Sequence, residues 1–496
     1  MKTMLLTLLA IITASSGGAQ VPLSLDTSFR ATRFFNGELI DNLSFMDGSV
    51  IVTGYDVYID NCCAGQWGPY RWLKLLPNGG IDETWPKGGA GGGRVNPFGP
   101  YYYVAGGLLP VRYFQNDGEF DHSYSVNSAN HVHPDLLYGN SGGIFVQADG
   151  NVLFTGDHHI AEQWGANPPG YYSLLRLNPD ATLDSTYAFR QTDGVIWTIQ
   201  PTTQGRFLLS GVYNTYEGLP EGRILRIWPD GSLDSTFHTE IIKGYAIPLH
   251  EQPNGRIIAG GKFVFPDEPD TMHLIRLMPN GTLDTTFNNH GAYDRLPPTS
   301  FGAFGFGVGD VEPLADGTMI VAGNFTHIDG QLRRGVALLD STGHLLNTAL
   351  NGEGALLTHD FNSTYMYSRV NAIGQAPDGS IFLAGAFKGF DDGIVRDTSM
   401  TMIVKLHGLN VGIHEAERPA WQVRVWPNPG TDMLHIETDV MDKLDVRVLD
   451  ATGRAILTGT SPDGTLEFST LGLAPAIYLV EVNTSAGRRT VKWMKQ

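Results

Sequence analysis

The chain has 496 residues, including 61 Gly and 28 Pro, with 17% charged and 10% aromatic side chains. That length exceeds one simple core and implies several domains or a repeat architecture, while the composition excludes disorder and a coiled coil and suits an all-β protein rich in tight turns. A formal net charge of −18 at pH 7 argues against nucleic acid as a partner, because phosphate binding needs clustered Lys and Arg.

Residues 1–20, MKTMLLTLLAIITASSGGAQ, carry one positive charge at Lys2, an apolar run from Met4 to Ile12 and then small residues. This pattern predicts a signal peptide cut near Ala19 or Gln20, too short to span a membrane. No later stretch approaches the roughly 18 consecutive apolar residues of a spanning helix, so no transmembrane segment is expected and the mature protein is expected to be exported.

From residue 25 onward a motif recurs: apolar, Asp, any residue, Ser or Thr (Glu-Thr in one copy), aromatic. It stands at 25–29 (LDTSF), 81–85 (IDETW), 120–124 (FDHSY), 183–187 (LDSTY), 233–237 (LDSTF) and 283–287 (LDTTF), with a worn copy at 346–350 (LNTAL) in which Asn347 takes the place of the Asp. A second element alternates with it, a Gly-led turn and an apolar run ending in Gly, as in DGSVIVTG, NGRIIAGG and DGSIFLAG; GPYYYVAGG from Gly99 is a degenerate version. A period of about 50 to 62 residues is that of a propeller blade. In one unit the four expected strands are 246–251, 256–260, 273–277 and 283–287, separated by PNG turns.

The phase of the ends predicts how the repeats close. The last unit has three strands, ending in MIVKLHG, and lacks its Asp-containing fourth; LDTSF near the N-terminus is a fourth strand without the preceding three. The expected fold is therefore an all-β, seven-bladed propeller over residues 21–407 in which residues 25–29 complete the last blade. If the weak unit at 95–124 is not a blade, the number is six.

Adjacent Cys62 and Cys63 are the two cysteines of the chain, so no disulfide framework exists. Their Cα atoms stand about 3.8 Å apart, below the usual disulfide range of about 4.4 to 6.8 Å; a strained vicinal disulfide, free thiols and an intermolecular bond all remain open. After a linker at 408–420, residues 421–496 read as a small Ig-like β-sandwich of about seven strands.

This last segment resembles the type A C-terminal sorting domains of the Por, or type IX, secretion system, through WPNPG, VRVLDATGR, LGLAPAIYLVEV and the basic tail RRTVKWMKQ; Ala476 stands where that family usually has Gly. The resemblance implies passage through the periplasm, handling by the outer-membrane translocon, and release or attachment at the cell surface. The PNGTLDTTF element with its upstream apolar strand resembles the delta-60 repeat family of β-propellers, over about residues 25–406, which implies a fold and no particular activity.

The repeated carboxylates Asp26, Asp82, Asp121, Asp184, Asp234 and Asp284 recur once per blade, whereas an active site needs an asymmetric constellation. A short carboxylate two residues before Ser or Thr is suited to local hydrogen bonds, so these are expected to be structural, with the motif aromatic packed between blades. Function is expected in what does not repeat, on the face carrying the loops between second and third strands and the blade-to-blade connections. There, Trp67, Tyr70, Trp164, Tyr171 and Tyr216 are the ligand-binding candidates, because flat aromatic surface suits sugar rings or a protein partner. Asp157–His159 and His131–Asp135 lack zinc spacing. The acidic groups at 267–270 and 391–392 lack EF-hand order, so neither metal nor cofactor is expected. No nucleophile elbow, Walker loop, HExxH or Rossmann fingerprint occurs. The sequence favours a non-enzymatic binding module for glycan or protein; the alternatives are a secreted polysaccharide hydrolase or lyase using loop carboxylates and a structural surface component.

Overall fold

A computed structural model describes residues 22–59, 69–88, 90–105, 110–125, 141–160, 163, 165–266, 268, 270–295, 307–359, 366–409, 423–438, 443–450, 454–484 and 487–495. The chain divides into two compact units, Met1–Asn410 and Val411–Gln496.

In the first unit, Gly-led turns separate apolar runs of strand length, and among the described residues the outcome, alongside three small sheets, is seven larger antiparallel sheets in chain order. They comprise Phe34–Ser44, Val50–Ile59 and Tyr70–Leu75; Val95–Phe98, Tyr101–Val104 and Val111–Phe114; Ser141–Val146, Val152–Ile160 and Gly170–Leu177; and Val195–Pro201, Phe207–Val212 and Ile224–Ile227. The remaining three are Lys243–Glu251, Ile257–Val264 and Met272–Leu277; Val308–Pro313, Met319–Gly323 and Val336–Leu339; and Arg369–Gln375, Ile381–Asp391 and Arg396–Leu406. The weak unit thus forms a sheet like the others. First strands of neighbouring sheets lie side by side along the chain, and the first strand of the seventh sheet also lies beside that of the first.

The predicted fourth strand is shorter than expected. In each sheet it contributes one bridging residue, as in Leu277↔Leu283, Leu177↔Leu183 and Leu75↔Ile81. In every sheet but the sixth the next residue is the motif Asp, whose carboxylate accepts the N–H and hydroxyl of the Ser or Thr two positions on, and this closed turn bends the chain off the ladder. The seventh sheet obtains its bridging residue from the other end of the chain. Leu25 pairs with Leu406, the Asp26 N–H donates to the Lys405 carbonyl at 2.8 Å, and the His407 N–H to the Ser24 carbonyl at 2.8 Å.

The middle strands are buried on both faces, as Ile257, Ile258 and Ala259 show, so they read as continuous apolar runs rather than alternating ones. Aromatic rings fill the seams between sheets. Phe29 meets Phe382 edge to face at 5.3 Å, and Trp72 of the first sheet stacks on Tyr113 of the second at 4.3 Å, contacts worth about 0.5–1.5 kcal/mol each beyond the area they bury.

The second unit has two sheets. Val423–Trp426, Met433–Thr438 and Thr465–Ser469 form one; Ala455–Ser461, Leu444–Leu449, Ala476–Thr484 and Gly487–Lys495 form the other. Alternating residues of both, including Leu434, Ile436, Val446, Val480 and Trp493, share one core. The Trp493 indole donates to the Pro427 carbonyl at 2.8 Å, so the buried ring keeps its polar atom satisfied.

Candidate functional site

The motif carboxylates are fully engaged in the scaffold. Asp284 Oδ1 accepts the Thr286 N–H at 2.9 Å and hydroxyl at 2.6 Å, while Oδ2 accepts Arg276 Nε at 2.7 Å. The same guanidinium lies over the Phe287 ring at 4.8 Å and donates to the Ser341 carbonyl, in the turn of the next sheet, at 2.8 Å. Arg226 joins Asp234, Phe237 and the Pro279 carbonyl in the same way, and Arg112 joins Asp121, Tyr124 and the Pro179 carbonyl. Arg176 pairs with Asp184 beside Tyr187, Lys405 with Asp26 at 3.6 Å, and Lys74 lies over Trp85 of the Asp82 motif. In the second to fifth sheets the motif forms a staple: cation on the third strand, carboxylate and ring on the motif, and in three of these four a bond to the neighbouring sheet.

Burial pushes the Asp234 carboxyl up, but the bonds from Thr236 and Arg226 outweigh it and hold the group down at about 2. The same balance lowers Asp121, Asp184 and Asp284; for exposed Asp82 the Thr84 hydroxyl is the main cause. The cation was not singled out from the sequence, although Arg or Lys stands eight residues before the Asp at 74, 176, 226 and 276 and nine before it at 112.

The sixth sheet corrects the frame of the worn copy. Its bridging residue is Leu345, and the Leu346 N–H donates to the Leu338 carbonyl where Asp284 donates to Arg276. Leu346, not Asn347, therefore occupies the Asp position, and Leu338 the Arg position. Cation and carboxylate are replaced together by an apolar pair, as expected if each is costly without the other.

The proposed binding candidates separate. Trp67, Trp164, Cys62 and Cys63 lie outside the described residues. Tyr70 is half-buried at the start of a third strand. Tyr171 is 65% exposed and lies beside His159 with ring centroids 4.7 Å apart and the planes tilted by 35°. Tyr216 overturns the expectation: it is 0% exposed and donates its hydroxyl to the Gly231 carbonyl at 2.6 Å. The small hairpin of Thr215–Tyr216 and Leu219–Pro220 folds this ring into the core and leaves Leu219 outside.

A group not read from the sequence sits on the first strands. Asp41 Oδ2 accepts the Val95 N–H of the second sheet at 2.7 Å, and Asp310 Oδ2 the Ile373 N–H of the seventh at 2.8 Å; Arg94 stands 3.6 Å from Asp310. Burial raises Asp41 to about 6, with Arg94 opposing. Burial, with the charge of Asp310, raises Glu312 to about 7. Surrounding atoms crowd these carboxyls, yet all three keep partial solvent contact. Among the described residues no group of three or more His, Cys, Asp or Glu is placed to hold a metal ion, and no helix is long and apolar enough to cross a membrane.

Comparison with known proteins follows this geometry. Residues 205–237, 252–287 and 314–345 match the model of a domain of unknown function (DUF5122) beta-propeller, and residues 424–496 match the secretion system C-terminal sorting domain. No curated protein matches the chain. Among solved structures, PorZ, described as an essential bacterial surface component of the type IX secretion system of Porphyromonas gingivalis, aligns at 14% identity and a TM-score of 0.35 over 96% of this chain and 60% of that one. The extracellular domain of a putative hybrid two-component system from B. thetaiotaomicron aligns at 12% identity and a TM-score of 0.40, over 96% and 60%. The chain thus spans 60% of the length of each. It carries DUF5122 β-propeller repeats and, behind them, a C-terminal sorting domain of the type IX secretion system, which directs it to the cell surface or exterior.

Proposed function

We propose that the first unit is a closed, seven-bladed propeller serving at the cell surface or outside the cell as a non-enzymatic binding module, and that the second is an Ig-like sandwich read by the type IX translocon. The pairing of residues 23–26 with 405–407 supports closure, and the sheet formed by residues 95–114 supports seven blades rather than six. Binding falls to the face carrying the second-to-third-strand loops and the sheet-to-sheet connections.

One observation carries the assignment of that face. The repeated carboxylates accept bonds within the scaffold; exposed apolar residues occur on both faces, Met46, Leu76 and Trp228 in the tight turns and Tyr171, Val212, Leu219, Ile242 and Ile394 at the loops and connections of that face, and the latter stand where the repeat varies, on a rigid framework. Arrays of glycans and peptides probed with the mature protein test it. Specific binding lost in Trp67→Ala or Trp164→Ala supports the reading, and turnover of any polysaccharide defeats its non-enzymatic clause. A polysaccharide hydrolase or lyase is the second reading, favoured by the raised carboxyls of Asp41 and Glu312; turnover abolished by Glu312→Gln would establish it.

A further inference from the structure

The third sheet departs from the repeat at one exposed place. Counting along the strands from the bridging leucines, the position of Tyr171 is held in other sheets by Glu221, Thr271, Arg333 and Met400, and the position of His159 by Asn214, Val264 and Thr326. Arg333 and Met400 are buried at that position whereas Tyr171 is exposed, and among the sheets compared the third alone sets two aromatic rings side by side there. His159 and Tyr171 are cross-strand partners just beyond a register shift between Thr155 and His158, so the two rings are held on paired strands. Between them and the core, His158 turns inward and packs on Phe154 at 4.2 Å, which fixes the outward direction of its neighbour. Asp157, two residues before His159 on the same strand, is half-buried, and burial raises its carboxyl while His159 opposes; its oxygens take no hydrogen bond from any described residue.

Resting on the binding-module reading, we infer that Tyr171, His159 and Asp157 form a saccharide site, with a neutral pyranose ring on the Tyr171 face and its hydroxyls donating to Asp157. A flat apolar ring beside a free acceptor matches the two surfaces of a sugar, one lined with C–H groups and one edged with hydroxyls. A protein surface closing over the same patch must bring a donor of its own to the carboxylate, because burial without one is costly. Sugar hydroxyls supply the donors without adding charge.

The test uses the full mature chain against immobilised neutral gluco-, manno- and galacto-oligosaccharides, followed by titration calorimetry with the best of them. The inference expects binding that falls at least tenfold in Tyr171→Ala and several-fold in Asp157→Asn, and that survives in Tyr171→Phe, with unchanged melting temperatures for these surface variants. Absence of binding to every saccharide overturns the inference, as does binding indifferent to all three variants. In the second case the binding-module reading stands with its site elsewhere; hydrolysis of the saccharide instead overturns that reading.

Discussion

Replacing Arg276 and Asp284 together by leucine copies the Leu338–Leu346 pair of the sixth sheet into the fifth. The single changes break a pair whose side chains are only 6% and 2% exposed. Asp284→Leu strands the Arg276 guanidinium between Phe287 and the Ser341 carbonyl. It also removes the turn bonds to Thr286, so a loss of about 3–5 kcal/mol follows from an uncompensated buried charge. Arg276→Leu leaves Asp284 its Thr286 bonds and Arg256 at 3.4 Å, which limits the loss to roughly 2–3 kcal/mol. The double variant removes both charges and gains apolar burial, so it loses less than either single change adds up to, about 1–3 kcal/mol. Urea unfolding of the mature protein, followed by tryptophan fluorescence and far-ultraviolet circular dichroism, measures all three. Single costs below about 1 kcal/mol that simply add in the double variant would refute the staple as a coupled unit.

Three further outcomes are expected. His158 fills a core position that Tyr213, Phe263, Phe325 and Phe387 occupy in other sheets; it has no well-formed hydrogen bond among the described residues, and burial lowers it to about 4, only partly offset by a poorly aligned approach to the Thr155 backbone. Its folded value lies below its unfolded one, so its contribution is whole above pH 6.5 and is lost as pH falls toward 4, by roughly 3 kcal/mol; His158→Phe should flatten the stability–pH curve in that window, and an unchanged slope counts against the assignment. Gly79 has φ +84° and a Cβ there would meet the Arg30 backbone at 2.6 Å, so Gly79→Ala should lower stability by about 2 kcal/mol or more, measured by thermal melting. Deleting residues 421–496 should leave the protein in the periplasm on cell fractionation; normal surface delivery would contradict the sorting role.

What the sequence made legible was the repeat and its phase. LDTSF without a preceding unit and MIVKLHG without a following one announced the pairing of Leu25 with Leu406, because the motif has one register in every sheet. The bonds that the Asp residues accept from the Ser or Thr two positions on followed from local bonding capacity. Arg or Lys stood eight or nine residues before five of the six Asp residues, but a pair is recognised only when the turn between them is known to bring the two together. The run HLLNTAL offers two leucines for one place, so Asn347 took the Asp position until the Leu346 hydrogen bond fixed the frame. Tyr216 read as a loop aromatic because GVYNTYEGLP is dense in turn residues; the hairpin that tucks it inward depends on the tertiary seam. Asp41, Asp310 and Glu312 were invisible as a group, since sheets distant in sequence bring Asp41 and Asp310 near Arg94, with Glu312 beside Asp310.

Closure of the ring by the N-terminal segment is the claim on which the phase, the blade number and the identity of the loop face all rest. Residue-resolved hydrogen exchange on the mature protein tests it directly. The account predicts that the amides of Leu23, Asp26 and His407, which donate to carbonyls at 2.8–3.0 Å across the two ends of the unit, are protected as strongly as those of Asp184 and Asp234. Exchange of these three at the rate of a frayed terminus, with Asp184 and Asp234 protected, would contradict it.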